Sequence, residues 1–236
     1  MKVFNYLLAL VLFTTSCTTQ QINDTLGSVL NGGLSTTDVA AGLKEALRLG
    51  ANEGAQELSQ AGGYFDDLAY RILLPEEVQT VTRRLQGVPG FSDLENTILR
   101  KINQGAEDAA KSAGPIFVEA ITSMTIEDAW NILKGGDNAA TQYLQNATQI
   151  ALTEAFRPTI QESLDKFDAN TIWRDASTAY NRIPLLDPVE TDLTTYVTGR
   201  ALDGLFKKVA LKEVEIRTNI NARTSDLLRR VFAQQD

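Results

Sequence analysis

Hydrophobic positions recur at the spacing of an α-helix over most of the chain. After residue 35, Val39, Leu43 and Leu47 fall four residues apart, and the stretch 94–106 repeats the interval. This spacing places apolar side chains on one face of a helix. Alternation with a period of two, which is typical of strands, extends over short fragments only. The pattern therefore predicts an all-α fold.

The widest hydrophobic stripe lies near the C-terminal end. Apolar residues recur along it at intervals of four, namely Val197, Ala201, Leu205 and Val209. Leu202, Phe206 and Ala210 widen the stripe. A helix with so broad an apolar face is usually central and largely buried. We expect this central helix over about 189–214, then a linker over 217–223 and a last helix over about 224–233.

Glycine, proline and capping residues divide the chain into separate helices. Hydroxyl residues followed three positions later by an acid predict helix starts at Ser35–Asp38, Ser92–Glu95 and Thr125–Asp128. Between such signals, glycine and proline pairs interrupt the helical spacing. The remaining expected helices cover 76–86, 126–134, 138–156, 159–167 and 170–182. Arg157-Pro158 separates the third of these from the fourth, and a further helix break is expected at Gly114-Pro115. We expect a single-domain bundle of about eight to ten helices over residues 36–236.

Two of these helices carry patterns that predict how they pack. The first has small residues on one side, at Gly50, Ala51, Gly54 and Ala55, which would let another helix approach closely. The helix over 138–156 has an apolar set made of Tyr143, Ala147, Ile150 and Ala151. Helical spacing places this second set on one face of its helix.

The first residues have the pattern of a targeting segment. Lys2 precedes an apolar run over 3–13, which is shorter than the roughly 20 residues that span a membrane. Small residues then lead to Cys17, the only cysteine in the chain. We interpret residues 1–16 as a signal peptide, Cys17 as a lipidated residue and 17–35 as a flexible tether. The expected location is the periplasmic side of the outer membrane; the alternative is an ordinary secretory signal with a chance cysteine.

Composition narrows the chemistry that the domain can perform. The 236 residues contain no histidine and one cysteine, so Ser–His–Asp and Cys–His catalysis and cysteine-built metal sites are excluded. We expect no metal and no cofactor. The formal net charge of −8 opposes binding to phosphate backbones, so nucleic acid is not an expected partner.

Several short phrases resemble one protein family. They are Gly42–Leu47, Met124-Thr125, Asp128-Ala129, Ile132-Leu133, Ala139–Thr141 with Tyr143, Tyr196–Thr198, Ala201–Phe206, Ile216-Arg217, Ala222–Leu228 and Val231-Phe232. Together they resemble the domain-of-unknown-function family 4197, bacterial proteins that often carry lipoprotein-type signals. The resemblance covers residues 36–232 and departs at Ile220, where the family is expected to have proline. It implies one helical domain and no particular activity.

The C-terminal phrases contain the strongest candidate for a binding site. Its residues are Asp203, Arg217, Arg223, Thr224 and Asp226. Arginines near the free N–H groups of a helix start can bind a carboxylate or phosphate. The alternative is structural: Thr224 would cap the last helix, Asp226 would sit in its first turn, and the arginines would pair with acids such as Asp203.

Other candidates have stronger structural explanations. The acid pairs Asp66-Asp67 and Glu76-Glu77 could hold calcium or act in catalysis, but adjacent side chains point in different directions, which favours solvated helix ends. The aromatic residues Tyr64, Phe65, Tyr70 and Trp130 could line an apolar pocket, although core packing is their usual role.

The missing catalytic motif leads us to expect a non-catalytic binding or interaction module. Its partner would be a small apolar ligand in a cavity or an envelope protein in a groove. The alternative is a hydrolase or lyase that uses carboxylates with arginine or tyrosine. A purely structural role in an envelope assembly, with an exposed apolar patch, is the third interpretation.

Overall fold

Helices make up nearly all the regular structure in the part of the chain that the structure describes. The computed structural model describes residues 34–74, 79, 94–166, 168–182, 184–185, 188 and 192–233. Within them the α-helices are α1 (Thr36–Leu58), α2 (Leu94–Ala110), α3 (Ala113–Ser123), α4 (Ile126–Lys134), α5 (Ala139–Asp165), α6 (Ala169–Asn181), α7 (Leu193–Thr218) and α8 (Asp226–Phe232). A 3-10 turn, Ile220–Ala222, joins the last two. The all-α prediction is confirmed, and these residues form no strand.

Several predictions fall outside the described residues. They are the signal peptide, the lipidated Cys17 and most of the tether, the helix over 76–86 apart from residue 79, the acid pair Glu76-Glu77, and the cap residues Ser92 and Asp93. Among the helices that are described, none is both long enough and apolar enough to cross a membrane.

The predicted helix starts at Ser35 and Thr125 are confirmed. Each hydroxyl accepts the backbone N–H of the residue three positions later, at 3.1 Å in both cases. The acids at those positions, Asp38 and Asp128, accept the cap residue's own backbone N–H in return. Each hydroxyl also donates to its acid, and this hydrogen bond, followed by the one from the backbone N–H, lowers the pKa of both carboxyl groups. The caps fix where α1 and α4 begin.

The prediction that Arg157-Pro158 ends a helix is wrong, because α5 continues through Pro158 to Asp165. Proline removes one helical hydrogen bond and usually breaks a helix interior. Here Phe156, Ile160 and Leu164 are fully buried on either side of the proline. Packing of that apolar stripe against the core outweighs the local cost.

The apolar set predicted on one face of α5 is not the face that α5 buries. Ala147 and Ala151 are exposed, and Ile150 is 76% exposed. The buried residues instead recur at intervals of about four, at Thr141, Leu144, Thr148, Leu152, Phe156, Ile160 and Leu164. Two threonines belong to this face because their hydroxyls find acceptors within the protein: Thr148 donates to the Leu144 carbonyl oxygen and Thr141 to Glu213.

Helix α7 is the central element, as its broad stripe predicts. It packs against α1, α2, α5 and α6, and the predicted stripe from Val197 to Val209 is buried. The small residues of α1 lie against it, as expected: a Cβ added at Gly54 would lie 3.6 Å from Val209, and one at Gly50 would lie 3.4 Å from Lys212. The helix runs to Thr218, so Arg217 is helical and does not belong to the linker predicted over 217–223.

Candidate functional site

The structure separates Asp203 from the other predicted site residues. Asp203 and Arg217 both lie on α7, fourteen positions apart, which is roughly 21 Å along a helix at about 1.5 Å per residue. The carboxylate of Asp203 pairs with Arg200 at 3.6 Å on an exposed surface. It therefore does not pair with Arg217 or Arg223.

Arg217 belongs to a buried ion pair that fixes the start of α5. Its guanidinium donates to the Glu213 carboxylate at 2.9–3.0 Å and to the Ile132 carbonyl oxygen at 2.9 Å. The same carboxylate accepts the backbone N–H groups of Ala140 and Thr141, at 2.9 and 2.8 Å. Glu213 thus caps α5 from a different helix, a role that its position in the sequence does not reveal.

The remaining three predicted residues surround the turn between α7 and α8. Arg223 is fully buried and donates to the carbonyl oxygens of Ile216 and Arg217 at the end of α7. The N-cap of α8 is Ser225, one residue after Thr224, and Asp226 pairs with Arg229 at 2.9 Å. The described contacts of this group are those of helix ends, and its anion-binding role stays a prediction.

The cavity beside this ion pair is small. It lies between α1, α7 and α8 next to Glu213 and Arg217, and its volume is about 20 Å³. A single water needs roughly 10–15 Å³, whereas sites for drug-sized molecules begin near 300 Å³. This cavity can hold one water and is too small for an organic ligand.

A second region, the irregular segment after α1, is held in place by buried polar side chains. We call residues 59–74 the clamped loop. The Asn103 side chain both accepts from the Ile72 N–H and donates to the Ile72 carbonyl oxygen, at 2.8 and 2.9 Å. One turn further along α2, Glu107 accepts the backbone N–H groups of Tyr64 and Phe65 at 3.2 and 3.1 Å. Both side chains are buried, so α2 satisfies the loop's backbone.

Helix α7 also holds the clamped loop. Tyr196 donates its hydroxyl to the Leu73 carbonyl oxygen at 2.7 Å, and Lys207 donates to Ala69 at 3.2 Å. Tyr64 is buried and donates to the Ala201 carbonyl oxygen at 2.7 Å; burial, with a smaller contribution from Glu107, raises the pKa of its hydroxyl. A Cβ at Gly204 would lie 2.9 Å from the Tyr64 ring, so glycine permits this close approach.

A groove runs between the clamped loop and α7. We call it the α7 groove; its volume is about 330 Å³, and the residues whose chemistry matters here are Tyr70, Arg71, Leu73, Tyr196, Arg200, Asp203 and Lys207. Three of these residues are cations and one is a carboxylate. Each cation lies over an aromatic ring: Arg200 is 5.5 Å from the Tyr196 ring centroid, Lys207 is 5.7 Å from that of Tyr70, and Arg71 is 4.8 Å from that of Phe65. Tyr196 in turn stacks on buried Trp173 at 5.5 Å.

Exposed leucines lie on the same loop. Leu73 is 52% exposed and lines the groove, and Leu68 is 81% exposed. Charged and aromatic groups with exposed leucines on a fixed backbone form a surface suited to binding. The groove holds one carboxylate, Asp203, and the described residues contain no cluster of acids that could bind a metal ion.

The four aromatic residues considered as a pocket do not form one. Tyr64 and Tyr70 are buried in the core. Phe65 lies between the guanidinium carbons of Arg71 and Arg100, each 4.8 Å from its ring centroid. Trp130 lies on α4 with the Lys134 amine 5.1 Å from its ring. Their contacts are those of core packing and surface stacking.

Comparisons with known proteins identify a family and nothing further. No curated protein and no solved structure matches the chain. The model of one family, described as a protein of unknown function (DUF4197), matches residues 33–233. That range covers every helix described above, and it includes both the clamped loop and the buried Glu213–Arg217 pair. The chain therefore belongs to the DUF4197 family.

Proposed function

We propose that this protein is a non-catalytic interaction module of the bacterial envelope, and that the α7 groove binds a partner protein there. The clamped loop is the observation that carries the proposal. Loops usually cover a surface loosely, whereas this one is fixed by hydrogen bonds from two helices, through Asn103 and Glu107 on α2 and through Tyr196 and Lys207 on α7. A fixed loop presents its exposed side chains without a large entropic cost on binding.

The side chains that the loop presents support binding to a protein. Leu68 and Leu73 are exposed on the clamped loop, whose backbone makes hydrogen bonds to buried side chains such as Asn103. Aromatic residues and arginine are enriched in protein interfaces, and Tyr196 and Arg200 line the groove together with Leu73. A hydrolase or lyase built on carboxylates would need several acids to converge, and among the described residues that line the groove Asp203 is the one acid.

The location is proposed on the N-terminal pattern. A lipid on Cys17 would anchor the domain to the membrane through residues 17–35. The absence of histidine from the sequence fits a role that needs no proton transfer near neutral pH. A bound small apolar ligand is less well supported, because the cavity beside Glu213 measures about 20 Å³.

Site-specific crosslinking tests the interaction. A photoreactive phenylalanine derivative replaces Leu73 in the full chain, in cells that normally express it, and Ile150 on α5 serves as the matched control because it is also an exposed apolar residue. We expect a discrete crosslinked protein from position 73 that is missing from position 150. Equal or absent crosslinking at the two positions would refute the interaction proposal for this groove.

A further inference from the structure

We propose that the partner segment in the α7 groove is an acidic peptide segment that also carries apolar side chains. This inference rests on the proposed function and adds the chemistry of the partner. It is drawn from three features of the groove: its charge, the position of its cations over aromatic rings, and the exposed leucines of the clamped loop.

The side chains that line the groove carry a net positive charge, opposite in sign to the net charge of the chain. The protein has a formal net charge of −8, yet Arg71, Arg200 and Lys207 line the groove against one carboxylate, Asp203. In the described part of the chain, Arg71 and Lys207 contact no carboxylate; they donate to the carbonyl oxygens of Phe65 and Ala69. A local positive surface on an acidic protein steers and selects anionic partners.

The cations are placed so that they can bind carboxylates. Arg200 lies over the Tyr196 ring, and its only described carboxylate contact is the long 3.6 Å pair with exposed Asp203. Stacking on a ring uses the face of a guanidinium and leaves the N–H groups on its edge for a carboxylate. Lys207 has three donors, of which one is used by Ala69.

The leucines distinguish a peptide from a small anion. Leu73 is half-exposed in the groove wall, and Leu68 lies outside the residues that line the groove, on the same fixed loop. A free carboxylate or phosphate would satisfy the cations and leave both leucines in water. A peptide that alternates acidic and apolar side chains would satisfy the cations and also cover Leu73.

Two labelled peptides test the partner chemistry on the purified full chain in a neutral detergent. One alternates glutamate with leucine and the other alternates lysine with leucine, and fluorescence anisotropy measures the dissociation constant of each. We expect the acidic peptide to bind more tightly than the basic one and to weaken as salt is added. Equal binding of the two peptides, or no binding of the acidic peptide, overturns the inference.

A pair of matched double variants locates the binding. Arg200→Gln with Lys207→Gln removes two exposed charges from the groove, and Lys111→Gln with Lys166→Gln removes two exposed charges from elsewhere. We expect the groove variant to weaken the acidic peptide about tenfold and the control variant to change it little. Equal effects of the two variants overturn the inference. If the peptide tests fail while crosslinking from position 73 persists, the acidic chemistry is refuted and the interaction function is retained.

Discussion

Replacing Glu213 by alanine should be among the most damaging single changes in this domain. The Glu213 carboxylate is buried and accepts hydrogen bonds from the backbone of Ala140 and Thr141, from the Thr141 hydroxyl and from Arg217. Removing it leaves the positive charge of Arg217 buried without its ion-pair partner. It also leaves the first N–H groups of α5 without an acceptor.

The size of the effect follows from these two losses. Breaking a buried ion pair by removing one partner costs roughly 3–5 kcal/mol, and loss of a helix cap costs about 1 kcal/mol. We therefore expect Glu213→Ala to lower the free energy of unfolding by about 4 kcal/mol or more. Removing both charges, with Glu213→Leu and Arg217→Leu together, should cost less than this because no unpaired charge stays buried.

Urea denaturation followed by circular dichroism measures both variants. Glu213→Gln provides an intermediate step, since its amide oxygen can still accept one of the N–H groups of Ala140 and Thr141 but carries no charge. We expect the order of stability to be wild type, Glu213→Gln, then Glu213→Ala, with the double leucine variant above Glu213→Ala. A loss below about 1 kcal/mol for Glu213→Ala, or a double variant no more stable than it, would refute the reasoning.

Three further predictions use other described contacts. Thr198 on α7 has a buried hydroxyl with no hydrogen-bond partner. Thr198→Val should therefore raise the free energy of unfolding, measured by urea denaturation, by about 1 kcal/mol. The control Thr148→Val removes a hydroxyl that donates a hydrogen bond, and it should bring no gain. Burial opposes ionisation of Glu57, but hydrogen bonds from Lys208 and Lys212 outweigh it and hold the pKa below 4.5. The stabilisation from ionised Glu57 is therefore complete above pH 4.5 and is lost as the pH falls through the lowered pKa. In Glu57→Gln, the midpoint of urea denaturation should therefore fall less on acidification than in the wild type. An unchanged dependence of the midpoint on pH would contradict this. Cys17→Ser should move the protein from the membrane fraction to the soluble fraction of cell extracts, and continued membrane association would contradict lipidation at that residue.

Local signals in the sequence predicted helix starts well. The hydroxyl–acid patterns at Ser35 and Thr125 depend on neighbouring residues alone, so the caps form as expected. The stripe along α7 was equally clear, because every fourth residue is apolar from Val197 to Val209. These features need no knowledge of what packs against the helix.

Packing overrode the local signals in α5. Pro158 indicated a break, but the buried residues on both sides of it keep the helix continuous. The threonines at 141 and 148 looked polar, and their hydrogen bonds to Glu213 and to the Leu144 carbonyl oxygen allow them into the core. Sequence spacing does not show whether a hydroxyl will find an acceptor after folding.

The local sequence pattern could not predict the α7 groove. Tyr196 and Lys207 reach the clamped loop across 123 and 138 residues of chain. The one signal in the sequence was the pair Asn103 and Glu107, polar residues four apart beside the apolar positions of α2. Asp203, chosen for its nearness to the C-terminal arginines, does line the α7 groove, but it does so without them.

The position of α7 in the chain has a consequence for folding. Helix α1 and the clamped loop come early, yet their buried contacts include partners on α7, which follows every other large helix. Contacts so distant in sequence make folding slow, and apolar faces stay open until the last long helix is available. Fragments that stop before Leu193 should therefore be bound by chaperones or degraded, and the complete domain should become protease-resistant in one late step.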